Sequence, residues 1–455
     1  MPTRRYVWPQ EARLRRGLLE KTLPPERLSL LRRIAEQAAS MDMSPYIVGG
    51  FVRDLLLGQV SQDFDLVVEG DAIALAHALQ SRYGGRVTAH ARFRTAKWHL
   101  KNEATAEGGD AISSVDLISA RRESYAQPGA LPHIQAGGIE DDISRRDFTI
   151  NTLALRLDRD DFGEMLDEMG GLDDLNRGVI RVLHPASYQD DPNRILRAVR
   201  YEQRYGFEIS TTDREYIASA RDLLEKLSAD RIRHELDWIL AEAKAPEMLN
   251  RLEEFGILNA IHPALQWSAE MRRVFLLNRD NPPPAAWGVI PNRTRLPRRV
   301  ALGYLLWLMH LTQVQIRALD SRLHFRADLR DSLLEASDLR QRASALQGAK
   351  PSRICSRLED VPLLAVYAVS LAADPPERRL LESFGTSWRH IKPRTTGNDL
   401  KARGLAASPA YQAILQALRD AWLDGDVDNP EEESTLLDQL IKSQADPSRI
   451  ARNVK

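Results

Sequence analysis

Tyr46-Ile47-Val48-Gly49-Gly50-Phe51-Val52-Arg53-Asp54-Leu55-Leu56-Leu57-Gly58, followed by Asp63-Phe64-Asp65-Leu66-Val67-Val68, is the stretch that decides the fold. Its short apolar opening ends at a double glycine, which predicts a strand entering a turn. Phe51 to Leu57 then carries helical spacing. The second segment alternates polar and apolar before becoming wholly apolar. That pattern suits a sheet strand with Asp63 and Asp65 on one face. Upstream, Leu28, Leu31, Ile34 and Ala38 recur at helical spacing within residues 28–42. Downstream, a helix is predicted over 72–83 and strands over 86–88 and 114–120. Residues 1–157 therefore predict a mixed α/β unit.

Beyond about residue 185 the pattern turns almost wholly helical, rich in Leu, Arg, Glu and Ala. One interruption, Asn281-Pro282-Pro283-Pro284 and then Trp287 to Pro297, cannot be helical throughout and reads as an insertion or linker. No repeat of fixed period is present. A chain of 455 residues implies about two to four domains. With 63 basic and 64 acidic residues there is no global field for a polyanion, so a nucleic-acid partner must use local basic patches. No run of about 18 apolar residues predicts a membrane span. The segment Met1 to Gln10 lacks the apolar core of a signal peptide, so a cytoplasmic location is expected. The single cysteine, Cys355, excludes an internal disulfide framework and a Cys-based zinc cluster.

Several constellations carry chemistry. Asp63 and Asp65, at i and i+2 on a strand, project to one side and can both hold Mg²⁺. Two such ions about 3.5–4 Å apart clamp both oxygens of a phosphoryl transfer. Gly49 and Gly50 let backbone amides approach a triphosphate. An isolated Asp-x-Asp is more often a turn with edge aspartates; here the remaining context reverses that reading. Asp116 lies inside the apolar strand Ser114-Val115-Asp116-Leu117-Ile118, where a carboxylate is costly unless paired or bound to metal. It is the candidate third acid, as a metal ligand or as a base.

Arg145-Arg146-Asp147-Phe148-Thr149-Ile150-Asn151 offers guanidinium forks for phosphate, with an Asp and an Asn for ribose hydroxyls. Asp190-Asp191-Pro192-Asn193-Arg194-Ile195-Leu196-Arg197-Ala198-Val199-Arg200 starts a helix at its proline. Asp191 and Arg194 share a face there and could read the edge of a base; otherwise they form a surface ion pair. Ser228 to Leu236 starts another helix, with Ile232, Leu236, Ile239 and Leu240 as its buried face, and reads as structure.

Together these segments resemble the class II tRNA nucleotidyltransferases, the family of CCA-adding enzymes and bacterial poly(A) polymerases. Gly170-Gly171-Leu172-Asp173-Asp174-Leu175 and Gly397-Asn398-Asp399-Leu400-Lys401 add to the match, which is dense over residues 45–240. The resemblance implies an α+β chain: a polymerase-β-like nucleotidyltransferase head (1–157), then an all-helical neck (158–265), body (266–390, with the loop 281–297) and tail (391–455). It implies that Asp63 and Asp65 hold two Mg²⁺ ions, with Asp116 beside them. Gly49, Gly50, Arg53, Arg145 and Arg146 would contact the triphosphate of ATP or CTP, and Asp147 and Asn151 the ribose. Asp191 and Arg194 would select the base, with Arg197 and Arg200 completing the nucleotide-binding set. Asp190 stands where the family has Glu, which shortens its reach.

The implied activity is template-independent addition of C or A to the 3′ end of tRNA, gripped by its acceptor arm. A poly(A) polymerase acting on general RNA and an inactive RNA-binding relative are the alternatives. Residues 125–132 lack the basic stretch of many CCA-adders and look closer to members that add only CC or only A. The loop Arg293 to Arg299 and the run Lys392-Pro393-Arg394 are candidate RNA contacts, so replacing Arg298 and Arg299 is expected to weaken tRNA binding. Monomer and homodimer both fit.

Overall fold

The computed structural model describes residues 17–59, 65–100, 113–124, 133–158, 161–405 and 409–444, without the side chains of 277, 278, 443 and 444. Two compact units emerge, Met1–Glu235 with Glu254–Ile261, and Leu236–Glu253 with His262–Lys455.

The first unit is built on a seven-stranded mixed sheet in the order β3-β4-β5-β2-β1-β8-β9. Its strands are β1 Ser44–Val48, β2 Asp65–Glu69, β3 Arg86–His90, β4 Thr95–His99, β5 Ser114–Ser119, β8 Ala154–Arg156 and β9 Met165–Leu166. A separate hairpin pairs β6 Arg121–Ser124 with β7 His133–Ala136. Tyr46 to Val48 and Leu66 to Val68 are buried on both sides of the sheet, which is why they read as continuous apolar runs. On one side Tyr46, Val48 and Val67 pack with Ile139, Ile143 and Ala154. The helix Ala72–Tyr83, capped by the Asp71 carboxylate accepting from the amides of Ile73 and Ala74, buries Leu75, Ala76 and Leu79.

β4 and β5 differ from the central pair. Ala96, Trp98, Val115 and Leu117 are buried, while Lys97, His99, Ser114 and Asp116 stand on a half-open face. That alternation marks a sheet region covered on one side only. β1, β2, β3 and β5 and the helix 72–83 lie where the sequence predicts them. β4, β6, β7, β8 and β9 escaped the reading. They have 2 to 5 residues each, too few for a period to declare itself.

The second unit is helical. Arg298–Leu308 buries nearly every residue from Val300 on, and Trp307 donates its indole N–H to the Gln266 carbonyl at 2.8 Å. The Pro-rich segment, expected as an insertion or linker, holds only a short turn at Ala285–Trp287 and is anchored as an insertion. Trp287 is buried with its ring 5.0 Å from that of Tyr367, and a Cβ at Gly385 would stand 2.2 Å from it. Arg389 donates to the Trp287 carbonyl at 2.8 Å. Towards the C-terminal end, Leu400, Ile414, Leu418 and Leu437 form their own cluster. The buried Glu433 carboxylate accepts from the amides of Arg394 and Thr395 and from the Trp422 indole. Cys355 is buried, and burial pushes its thiol up to about 11.

Candidate active site

Two of the candidate acids, Asp65 and Asp116, meet at one end of the sheet. Asp65 opens β2 and lies opposite Asp116 of the parallel strand β5. Asp116 in turn lies opposite Lys97 of β4, whose Nζ stands 3.0 Å from Asp116 Oδ2. β1 runs antiparallel beside β2, with Ile47 opposite Leu66, so the chain emerges at Gly49 at the end where Asp65 begins. Asp63 lies outside the described residues. Among the described residues no group of three or more candidate metal ligands forms. Asp65 supplies hard oxygen donors on an open face beside Asp116, whose Oδ1 keeps no hydrogen-bond partner among the described residues. This donor set fits Mg²⁺.

The glycine turn is shaped by what packs on it. Gly49 has φ +83°, a conformation that disfavours side chains, and a Cβ there would stand 2.4 Å from Arg146 Nη1. Its N–H donates to the Leu153 carbonyl at 2.9 Å. Gly50 starts the helix Gly50–Leu56, whose Arg53 turns inward.

Behind the turn, arginines and carboxylates form a buried lattice. Asp142 is fully buried and accepts from Arg145 Nε at 3.0 Å and Arg146 Nη2 at 2.9 Å. Arg145 also donates to Glu123 at 3.0 Å. Arg146 Nε is buried without a hydrogen-bond partner. Arg53 donates to Asn151 and Asp54, and its guanidinium lies 5.2 and 4.6 Å from the ring centroids of Tyr201 and Tyr205. Asn151 donates to Asp147 at 2.8 Å, and Asp147 accepts from Arg197 Nε at 2.8 Å. Burial alone would raise the Asp147 carboxyl. Arg197, the Asn151 amide and Arg194 outweigh it and hold the group well below the usual carboxylate range.

The 190–200 segment departs from expectation in its pairing. Helix Asn193–Tyr205 begins after Asp191, which has extended backbone. Asp191 Oδ1 accepts from the Asn193 amide at 3.1 Å and from Arg231 Nη2 at 2.6 Å. Arg194 turns away, donating to Ser187 Oγ and to the Arg145 carbonyl. Asp191 and Arg194 therefore do not share the helix face expected of them, because Asp191 precedes the helix, and Asp191 pairs with Arg231 instead. Arg200 is buried against Glu235 at 3.0 Å. Arg53, Arg194 and Arg200 are at most 6% exposed, so they frame the site, whereas Arg145, Arg146 and Arg197 keep part of their surface open. Asp190 is half-exposed, 3.8 Å from His184 Nε2.

Gly170 to Leu175 supports the lattice from behind. A Cβ at Gly171 would meet the Thr149 carbonyl at 2.2 Å, and Asp174 accepts from Thr149 Oγ1 at 2.7 Å.

The sequence reading missed Lys97, Glu123, Asp142, Arg231 and Glu235. Asp142 was legible, since it stands three and four residues before Arg145 and Arg146. Arg231 was in view but read as structure. Glu123 and Glu235 find their arginines 22 and 35 residues away, and Lys97 finds Asp116 across a strand pair, so local spacing carried no signal.

Residues 45–181 match the family model described as the poly A polymerase head domain. Residues 206–268 match that described as the probable RNA- and SrmB-binding site of polymerase A. The chain is 30% identical over 422 residues to the A-adding tRNA nucleotidyltransferase of Halalkalibacterium halodurans, covering 91% of this chain and 93% of that protein. It is 33% identical over 441 residues to the A-adding tRNA nucleotidyltransferase of Geobacter sulfurreducens, covering 94% of this chain but 48% of that protein, so it spans about half that relative's length. Among solved structures, the Thermotoga maritima CCA-adding enzyme complexed with tRNA matches with a TM-score of 0.73 at 27% identity, covering 94% of this chain and 98% of that one.

Proposed function

The chain belongs to the tRNA nucleotidyltransferase and poly(A) polymerase family, and from that premise we propose that it adds C, A or both to the 3′ end of tRNA without a template. The observation that carries this reading is the half-open row of Asp65 and Asp116 at the end of the sheet where the Gly49-Gly50 turn emerges. Two relatives aligned over more than 90% of this chain are A-adding tRNA nucleotidyltransferases, which favours ATP as a substrate.

Asp63 and Asp65 would hold two Mg²⁺ ions, whose chemistry is to ease ionisation of the attacking 3′-hydroxyl and to neutralise the leaving phosphates. The chain's own work is positioning and charge neutralisation. The side-chain-free turn at Gly49 and Gly50 admits the triphosphate. Arg146, whose Nη1 lies beside that turn, and Arg145 meet phosphate oxygens. Asp147, Asn151 and Arg197 face the ribose through a lattice that Arg53 locks from behind. Asp191 presents its second oxygen to the base while Arg231 holds the first, and the buried Arg194 frames the base-selecting pocket through Ser187 and the Arg145 carbonyl. A site that hydrogen-bonds its substrate rejects one lacking the group by about 10⁴-fold or more.

The division into head (1–157), neck (158–265), body (266–390) and tail (391–455) belongs to this proposal, with tRNA held through shape and backbone contacts in the cytoplasm. Arg299 is spent on Asp280 and on the Ala241 carbonyl. The exposed Arg293 and Arg295 are therefore the cleaner test of that loop. Replacing both with Ala is expected to reduce the salt slope of tRNA binding by about 2. An unchanged slope removes the loop from the interface.

The deciding assay is incorporation of labelled CTP and ATP, singly and together, into three primers: a tRNA ending at the discriminator base, one ending in CC, and a generic RNA. Wild type is compared with Asp63→Ala/Asp65→Ala. Limited, Mg²⁺-dependent addition to tRNA, lost in the double variant, supports the proposal, and the primer pattern distinguishes CCA, CC and A addition. The description of the matched head family keeps a second reading open, a poly(A) polymerase, whose mark is long A tails on the generic primer. No incorporation by wild type leaves an RNA-binding relative.

A further inference from the structure

One row of side chains crosses the open face of the sheet from β2 to β3: Asp65 opposite Asp116, Asp116 opposite Lys97, Lys97 opposite Thr88. Directly opposed residues on neighbouring strands share a face and bring their Cβ atoms to about 4.5–5.5 Å. Asp65 and Asp116 are therefore like charges side by side, a juxtaposition unfavourable in itself. Lys97 answers it from the far side of Asp116, with Nζ 3.0 Å from Oδ2.

The pair does little for the fold. The side chains are 42% and 40% exposed, and an ion pair so open to water contributes little stability. Neither side chain has another hydrogen-bond partner among the described residues. Its geometric effect is larger. Lys97 occupies the carboxylate oxygen on the side away from Asp65, so the unpartnered oxygen, Oδ1, is left for the site. A lysine suits this task because its ammonium is a compact charge on a stem long enough to reach across one strand spacing.

We propose that Lys97 is a positioning residue for nucleotidyl transfer, holding Oδ2 of Asp116 so that Oδ1 is presented to the reacting end of the RNA. The inference rests on the activity proposed above. It also selects between the two roles open to Asp116. A cation already at Oδ2 opposes a divalent ion there, so Asp116 acts beside the hydroxyl rather than as a third metal ligand. Removing Lys97 therefore has effects of opposite sign: the acidic row loses a positive charge and binds a divalent cation at least as tightly, while turnover slows because Asp116 is no longer aimed.

The test uses the full chain as wild type, Lys97→Met and Lys97→Arg. Mn²⁺ binding is titrated by electron paramagnetic resonance without nucleotide or RNA, and kcat and KM are measured for nucleotide and primer alongside Tm. Lys97→Met is expected to keep the wild-type Tm and nucleotide KM and to bind Mn²⁺ no more weakly. Its kcat is expected to fall about ten- to hundred-fold, the scale of a misplaced reacting group. Lys97→Arg recovers most of that loss. An unchanged kcat, a loss that Arg does not recover, a loss accompanied by a lower Tm, or weaker Mn²⁺ binding each overturns the inference. If wild type incorporates nothing into any primer, it is the activity reading that fails, and the positioning role falls with it.

Discussion

The carboxylate row and the arginine lattice lie in one unit and use the same residue types, yet they treat charge in contrasting ways. Asp116 and Lys97 are about two-fifths exposed and bonded only to each other among the described residues. Asp142 is buried and the Asp147 side chain only 11% exposed, and each accepts from at least two donors. A buried carboxylate must have its lone pairs answered from within the protein, because water is not there to do it. An open carboxylate can leave lone pairs for a cation and a substrate. The contrast teaches that Asp116, proposed to act in the reaction, keeps an oxygen open, while the more numerous arginine contacts build the wall beside it.

The comparison breaks most decisively at Asp65. Asp65→Ala is expected to lower nucleotide incorporation by about 10⁴-fold, since it removes a residue proposed to hold the metals, while leaving Tm unchanged because the side chain is exposed. A substantial fall in Tm would mean that the row is structural after all. The converse holds at Asp142. Asp142→Ala strands two guanidiniums and should cost about 3–5 kcal/mol of stability in denaturant unfolding. A variant of normal stability would show that the lattice is not needed to hold the wall.

Arg231 sharpens the boundary between the two regions, since it touches a proposed base-reading carboxylate without facing the base. Arg231→Met should reduce discrimination between ATP and CTP by about tenfold, or roughly 1.4 kcal/mol. Measuring kcat/KM for both nucleotides checks this, and unchanged discrimination with a lower Tm would return Arg231 to a purely structural role. The smallest effect concerns a buried group of the sheet itself. Burial and the neighbouring Glu69 raise the Tyr46 hydroxyl from 10.0 to about 12. The folded state thus holds the proton more tightly than the unfolded one. Its contribution is complete below pH 10 and is lost as pH rises towards 12. Tyr46→Phe should flatten that alkaline decline, and an unaltered slope would assign it to other groups.

Much of this was legible before any tertiary information. The two apolar runs 46–48 and 66–68 and the helix 72–83 declared themselves through period, because neighbours in sequence suffice to encode a face. The glycine turn was legible for a similar reason: Gly49 adopts a backbone conformation that few residues but glycine accept. The short strands were not legible. Thr95–His99 and Ala154–Arg156 gain their identity by pairing with strands already in place. The same distinction runs through the site. Residue types and order pointed to Asp65, Asp116, Arg145, Arg146 and Asp147, but they did not say which of these would stand open and which would be largely enclosed.

The sequence by itself determined the chemistry available: the order of the motifs, the carboxylates at a strand's edge, and the arginines that follow. The tertiary structure alone decided the pairing. It gave Asp191 to Arg231 rather than to Arg194, turned Arg53 onto two tyrosine rings, and set Lys97 against Asp116. The physical reason is that periodicity fixes which way a side chain points relative to its own element, whereas its partner is set by register and packing between elements distant in the chain, where a shift of one residue would change every neighbour.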